Sequence, residues 1–173
     1  MLNLKKYRHN PDSSKWLWNL ATLEDVEPIV SLCETHFQRE IDSAFVPDRH
    51  HYAYNVTQAI VNQHYNATKE QLICAKLRDG TLIAYAWISV SSVIYSQTPC
   101  VEAKMIHMDL TLSARERITL LVQILTEWEQ WCKVCGHCVI ISTTIREEHD
   151  VFLKVHKELG YTLRGAICYK RVK

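Results

Sequence analysis

The sequence predicts an α/β protein with a mixed sheet, in the element order β-α-α-β-β-β-α-β-α-β. Three observations predict it. Short apolar or alternating runs (WLWNLA, QLICAKL, TLIAYAWISV, CVIISTT) are interleaved with stretches whose apolar residues recur every three or four positions, the mark of strands mixed with helices. An Asp-Gly turn joins two of these runs directly, which requires an antiparallel pair. Later a strand, a long helix and another strand follow in series, the kind of crossover a parallel pair needs.

Taken in order, Trp16 to Ala21 alternates apolar and polar and predicts the first strand. Thr22 offers an N-cap with Asp25 in the first turn, and Val26, Ile29, Val30, Cys33 and Phe37 form a helical stripe. Pro28 suits only the start of a helix, which moves that start about a turn past Thr22. The segment IDSAFVPDRH, containing Pro47, reads as a loop. A second helix spans about His50 to Tyr65 and carries Tyr54, Val56, Ala59, Ile60 and Tyr65. QLICAKL and TLIAYAWISV flank Arg78-Asp79-Gly80-Thr81, where glycine tolerates the positive φ of a tight hairpin. Ser91 to Pro99 reads as a polar loop.

From Val101 to Trp131 the chain is a mostly apolar strand, a short polar break and a long helix, which Gly136 ends. CVIISTT reads as a buried strand, since nothing polar interrupts Val139-Ile140-Ile141. A helix from about Arg146 to Leu159 stops at Gly160, and Tyr161 to Val172 supplies a last strand or bent pair. No repeat, low-complexity tract or linker interrupts this order. Residues 16–173 are therefore expected to form one domain behind a polar arm at residues 1–15.

The net charge of +1, with Lys and Arg scattered, gives no electrostatic case for nucleic acid. No run approaches the roughly 18 apolar residues of a membrane span. The opening MLNLKKYRHNPDSSK has no apolar core and is not expected to be a secretory signal. The seven cysteines are an odd set without framework spacing, expected to be reduced thiols in a cytosolic setting. In that setting the sequons at Asn55-Val56-Thr57 and Asn66-Ala67-Thr68 are accidental.

Two stretches carry a family resemblance. WLWNLATLEDVEPIVSL is similar to the opening strand and helix of the GNAT acetyltransferase superfamily, and VIISTTIREEHDVFLKVHKELGYTLRGAICYKR is similar to its closing strand, helix and strand. The resemblance implies acetyl-CoA as donor and direct transfer of acetyl to an amine. It also implies a pyrophosphate loop of pattern Gln/Arg-x-x-Gly-x-Gly/Ala between the fourth strand and third helix. That assigns cofactor binding to Leu110, Leu112, Ser113, Arg115, Arg117, Ile118 and Thr119. Glycines belong in such a loop because a Cβ keeps backbone amides away from phosphate oxygens. This chain has glycine only at positions 80, 136, 160 and 165. Ser113-Ala114-Arg115-Glu116 instead matches a capping box, which competes for the same amides. Arg115 and Arg117 argue the other way, as guanidinium groups that bind phosphate.

In the family, a tyrosine late in the fourth helix protonates the departing thiolate. His156 takes its place in His156-Lys157-Glu158-Leu159-Gly160-Tyr161, as a catalytic acid or as a surface residue beside Lys154 and Lys157. For a general base the fourth strand offers Glu102, His107 and Asp109. Met105, His107 and Asp109 share one face, with Ile106, Met108 and Leu110 on the other. A cleft-facing side and an ordinary half-exposed face both fit that pattern. Cys132, Cys135, His137 and Cys138 are zinc-ligand types, but no second CxxC exists and no metal is expected. Cys132 and Cys138 instead read as small core residues. In the long helix Ile118, Leu121, Leu125 and Trp128 form one apolar face, and Leu120, Ile124 and Trp131 a second. Such a helix is either deeply buried or docks on a partner.

These features favour a GNAT-fold protein that has lost catalysis and serves as a structural or binding component of a larger assembly. It would contact a protein partner or a second copy, as GNAT-like domains of tailed-phage virions do, and would sit in a virion or the cytoplasm. The alternative is an active acyl-CoA-dependent N-acetyltransferase.

Overall fold

The computed structural model describes residues 15–39, 46–144 and 149–165. β1 (Trp16–Leu20) leads into Thr22, whose N–H and hydroxyl both donate to the Asp25 carboxylate, at 2.9 and 3.1 Å. One 3-10 turn (Leu23–Asp25) precedes α1 (Val26–Arg39), so the α-helix starts late, as Pro28 requires. Asp48 accepts from the His51 N–H at 3.0 Å and caps α2 (Arg49–Tyr65). That helix buries Val56, Ala59 and Ile60 and leaves Tyr54 and Tyr65 exposed. Arg49 bridges the two helices through Glu27 and Glu34 of α1.

β2 (Glu70–Leu77) and β3 (Leu82–Val93) are joined by the expected hairpin, with Gly80 at φ 89°. The expected loop from Ser91 to Pro99 is instead strand. β3 continues to Val93, β4 (Ser96–Met108) begins three residues later, and only Ile94 and Tyr95 form the tip. Backbone pairing holds this extension where the side chains are mostly polar, so the apolar pattern by which a strand is read fades before the strand does. α3 (Ala114–Cys135) ends at Gly136 in the left-handed conformation, at φ 77°.

β5 (Val139–Ile141) is short, and Val139 is 44% exposed. The expectation of a fully buried strand fails here: an uninterrupted apolar run does not by itself say that both faces are covered. α4 (Asp150–Glu158) closes before Gly160, at φ 91°, and the expected start of that helix at Arg146 lies outside the described residues. Residues 161–165 form no regular element. The rest of the expected last strand, and the arm up to residue 14, lie outside the described residues.

The strands form one sheet in the order β1-β2-β3-β4-β5, antiparallel except for the parallel β4–β5 pair. α3 and α4 cover one face, around Ile83, Ala86, Leu120, Ile124, Leu125, Trp128 and Val155. α1 and α2 cover the other, around Ile29, Cys33, Val56, Ile60, Leu72 and Tyr85. Burial of large side chains such as these contributes about 1.5–3 kcal/mol each. Both apolar stripes of α3 are accounted for within the chain: Leu120, Leu121, Ile124, Leu125 and Trp128 are all buried. The partly buried Trp131 donates to the Ala67 carbonyl at 3.0 Å. The double stripe therefore marks a helix central to the core.

Two amides pin the layers together. Trp16 and Trp18 both donate to Gln123 Oε1, each at 2.9 Å, which seats α3 on β1. The buried Gln63 donates to the Ala21 carbonyl and accepts from the Leu72 N–H, both at 2.8 Å, tying α2 to the β1–β2 edge. Among the described residues no helix is long and apolar enough to cross a membrane.

Candidate functional site

The site follows from how β4 leaves β5. Their parallel pairing runs Cys100↔Val139, Val101↔Ile140 and Glu102↔Ile141, where β5 ends. β4 continues to Met108, still paired to β3 along its other edge. The β3–β4 register passes from Trp87↔Met105 to Ile88↔Ala103, so Lys104 is an extra, bulged residue. A bulge bends its strand and raises its twist, and this one lies just beyond the last β5 contact. Pairing between the two strands thus stops toward their carboxyl ends, the place where open α/β sheets bind ligands.

His156 stands at this end of the pairing. Its side chain is buried (2% exposed), lying against the Phe152 ring at 4.0 Å with Tyr161 edge-on at 4.8 Å. It is therefore no surface histidine. Nδ1 is 2.8 Å from the Phe152 carbonyl and Nε2 is 2.9 Å from the Ser142 hydroxyl. A carbonyl oxygen has no proton to give, so Nδ1–H donates to it and Nε2 accepts from Ser142. Burial pushes the imidazole below its ordinary pKa, against a smaller upward effect of the Phe152 carbonyl. Ser142, the first residue after β5, is half-buried. Reading the chain for family motifs passed over it, because its link to His156 is tertiary.

His107 and Met105 face α1, as the strand alternation predicts, but not on a half-exposed surface. His107 is 2% exposed, with ring centroids 4.4 Å from His36, 5.3 Å from Tyr85 and 6.4 Å from Phe37. The buried His36 reaches the edge of β4 that faces away from β3, where its Nε2 lies 2.5 Å from the Met108 oxygen and 3.2 Å from the Met108 nitrogen. One ring nitrogen cannot donate and accept at once, and the shorter contact makes it the donor. Nearby, the Tyr52 and Tyr85 hydroxyls are 2.9 Å apart, and burial pushes the Cys33 thiol up to about 11. That thiol stays protonated at neutral pH. Asp109 lies one residue past β4, where its Oδ1 accepts from the Thr111 N–H and hydroxyl, both at 2.8 Å. It shapes the turn into α3. Glu102 pairs with Lys104 at 2.7 Å.

At the α3 N-terminus the capping box is present. Ser113 Oγ accepts from the Glu116 N–H at 3.3 Å, while Glu116 Oε2 accepts from the Ser113 N–H at 3.0 Å and hydroxyl at 2.7 Å. Those Ser113 bonds, with a smaller contribution from Lys15, hold the Glu116 carboxyl below its ordinary range. Leu110 and Leu112 lie in the preceding loop, Leu112 against the core. Arg115, Arg117, Ile118 and Thr119 are already helical. Thr119 is buried with its hydroxyl on the Arg115 carbonyl at 2.9 Å, and Ile118 packs against the core. The amides of Ser113 and Glu116 are therefore engaged within the box itself. Arg115 and Arg117 bring side-chain charge to this helix start.

Among the described residues no group of three or more His, Cys, Asp and Glu is placed to bind an ion. His137 is 2.8 Å from the Thr68 carbonyl through Nε2. Cys132 is a core residue as expected, whereas Cys138 is exposed, because the chain has left the helix and the core by that point.

No family profile and no curated protein matches this sequence. Solved structures do match by fold. AAC(6')-Iy in complex with a CoA-containing bisubstrate analogue is 17% identical at a TM-score of 0.66, covering 91% of this chain and 98% of that one. The aminoglycoside 6'-N-acetyltransferase AAC(6')-Ih of Acinetobacter baumannii is 15% identical at 0.63, with 91% and 98% covered. The ribosomal-protein-alanine N-acetyltransferase of Brucella melitensis biovar Abortus 2308 is 11% identical at 0.63, with 91% and 99% covered. The chain has the fold of the GNAT acetyltransferases.

Proposed function

We propose that this protein is an acyl-CoA-dependent N-acetyltransferase that moves acetyl from acetyl-CoA to an amine. The observation that carries the reading is that β4 runs on past its last pairing with β5 at Glu102↔Ile141, at the carboxyl ends of two parallel strands, where α/β sheets bind ligands. His156 and Ser142 stand where that pairing ends, so titratable chemistry is present where an acyl thioester would react. Arg115 and Arg117 of the first α3 turn supply side-chain charge for the diphosphate in place of glycines. Two neighbours of the same fold are named for acetylating an aminoglycoside and a ribosomal-protein alanine. Their shared chemistry, an amine acceptor, is what is carried over. Titration with acetyl-CoA in a calorimeter tests the reading, alongside release of free thiol with a polyamine, an aminoglycoside and an alanine-terminated peptide. Saturable binding with thiol release is expected; no heat at millimolar acetyl-CoA overturns it.

The closed α3 N-terminus favours a second reading, in which the fold is kept and turnover lost. The protein would then act as a binding or structural component of a larger assembly. A virion placement belongs to this reading and rests on the sequence resemblance alone. A monomer with clear turnover of acetyl-CoA removes it.

A further inference from the structure

We propose that Ser142 is a catalytic proton carrier at the carboxyl end of β5 and that His156, buried behind it, is the positioning base that drives it. The inference rests on the transferase reading above. Its geometry is a short, directional chain: Ser142 Oγ to His156 Nε2 at 2.9 Å, and His156 Nδ1 to the Phe152 carbonyl at 2.8 Å. The carbonyl fixes the tautomer, so the only lone pair on the ring points at Ser142. The first proton therefore moves inward, from Ser142 to His156. This puts a base step before the acid step expected for His156, since a neutral ring in this tautomer has no Nε2–H to offer a departing thiolate until it has taken a proton. Phe152 and Tyr161 flank the ring, and α4 surrounds it, so its orientation is set before any ligand arrives.

The step balances as follows. The acceptor ammonium gives a proton to Ser142 Oγ while the Ser142 hydroxyl proton passes to Nε2, leaving a neutral amine and an imidazolium. The amine lone pair forms the C–N bond at the thioester carbonyl. The C–S bond then breaks, with its electron pair going to sulfur. The imidazolium proton returns through Ser142 to the thiolate, and the remaining surplus proton on nitrogen leaves to water. Burial keeps the ring neutral and ready to accept. Among the described titratable groups Tyr161 lies against the ring, itself acted on by Cys132 and Glu129 of α3, while Lys157 and Glu158 follow on other faces of α4.

The test uses Ser142→Ala and Ser142→Thr in the full chain with acetyl-CoA and whichever of the three amines gives thiol release. Ser142→Ala is expected to lower kcat about 100-fold, the scale of acid–base catalysis, with KM for acetyl-CoA unchanged. Ser142→Thr, which keeps the hydroxyl, is expected to recover most of the rate. The wild-type acid limb of kcat/KM reports His156 protonation and disappears in Ser142→Ala. Nitrogen-detected NMR of the His156 ring is expected to show the proton on Nδ1. Equal rates for the wild type and Ser142→Ala, or a proton on Nε2, overturn the relay and leave the transferase reading standing. A wild type without turnover overturns both.

Discussion

Two regions at the same end of the sheet treat the backbone in opposite ways. Where β4 runs on past β5, the extra residue Lys104 interrupts the ladder just beyond the last β5 pair and bends the strand. Where α3 begins, Ser113 and Glu116 turn back on their own amides and close the helix start. The bend arises from one extra residue in a strand and the closure from two polar side chains, so the two are set independently. A change in one region therefore leaves the other untouched.

The comparison breaks most sharply if Lys104 is deleted. Removing the bulged residue makes the β3–β4 register continuous across Trp87–Ile88 and straightens β4 next to its last pairing with β5. Acetyl-CoA affinity is expected to fall more than tenfold by calorimetry, with the circular dichroism spectrum retained. Replacing both Arg117 and Thr119 by glycine acts on the other region. Two helix-interior glycines cost about 2 kcal/mol, read as a Tm lower by about 4–8 °C, and acetyl-CoA should bind more tightly if amides become reachable. Ser113→Ala has the smallest effect. It removes the cap at a cost of about 1 kcal/mol and should shift acetyl-CoA binding in the same direction by a smaller factor.

Legibility in the sequence followed the range of the interaction. Asp79-Gly80, Ser113-x-x-Glu116, Gly136 and Gly160 were all readable because a turn, a box and two helix ends depend on neighbours within a few residues. Pro28 located the delayed start of α1 for the same reason. The polar reach of β3 and β4 between Ser91 and Pro99 was read as loop, since backbone pairing leaves no periodic mark on polar residues. Lys104 has no signature, because a bulge is a property of two strands in register. Of the candidate site, His156 could be placed by its distance from Gly160, but its partner lies in another element, and Ser142 carries no local signal. His107 was assigned to the correct face. Its enclosure by His36, Tyr85 and Phe37 depends on how α1 packs, which strand periodicity cannot express.

The paired indoles on Gln123 make the seam between β1 and α3 asymmetric toward change. One carbonyl oxygen with two lone pairs serves both Trp16 and Trp18. Losing either tryptophan removes its donor along with its ring and leaves the amide oxygen still engaged by the other. Losing Gln123 strands two indole N–H groups at once, at about 1–3 kcal/mol for each that is shut away from water. The seam therefore has redundancy on the strand side and a single point of failure on the helix side.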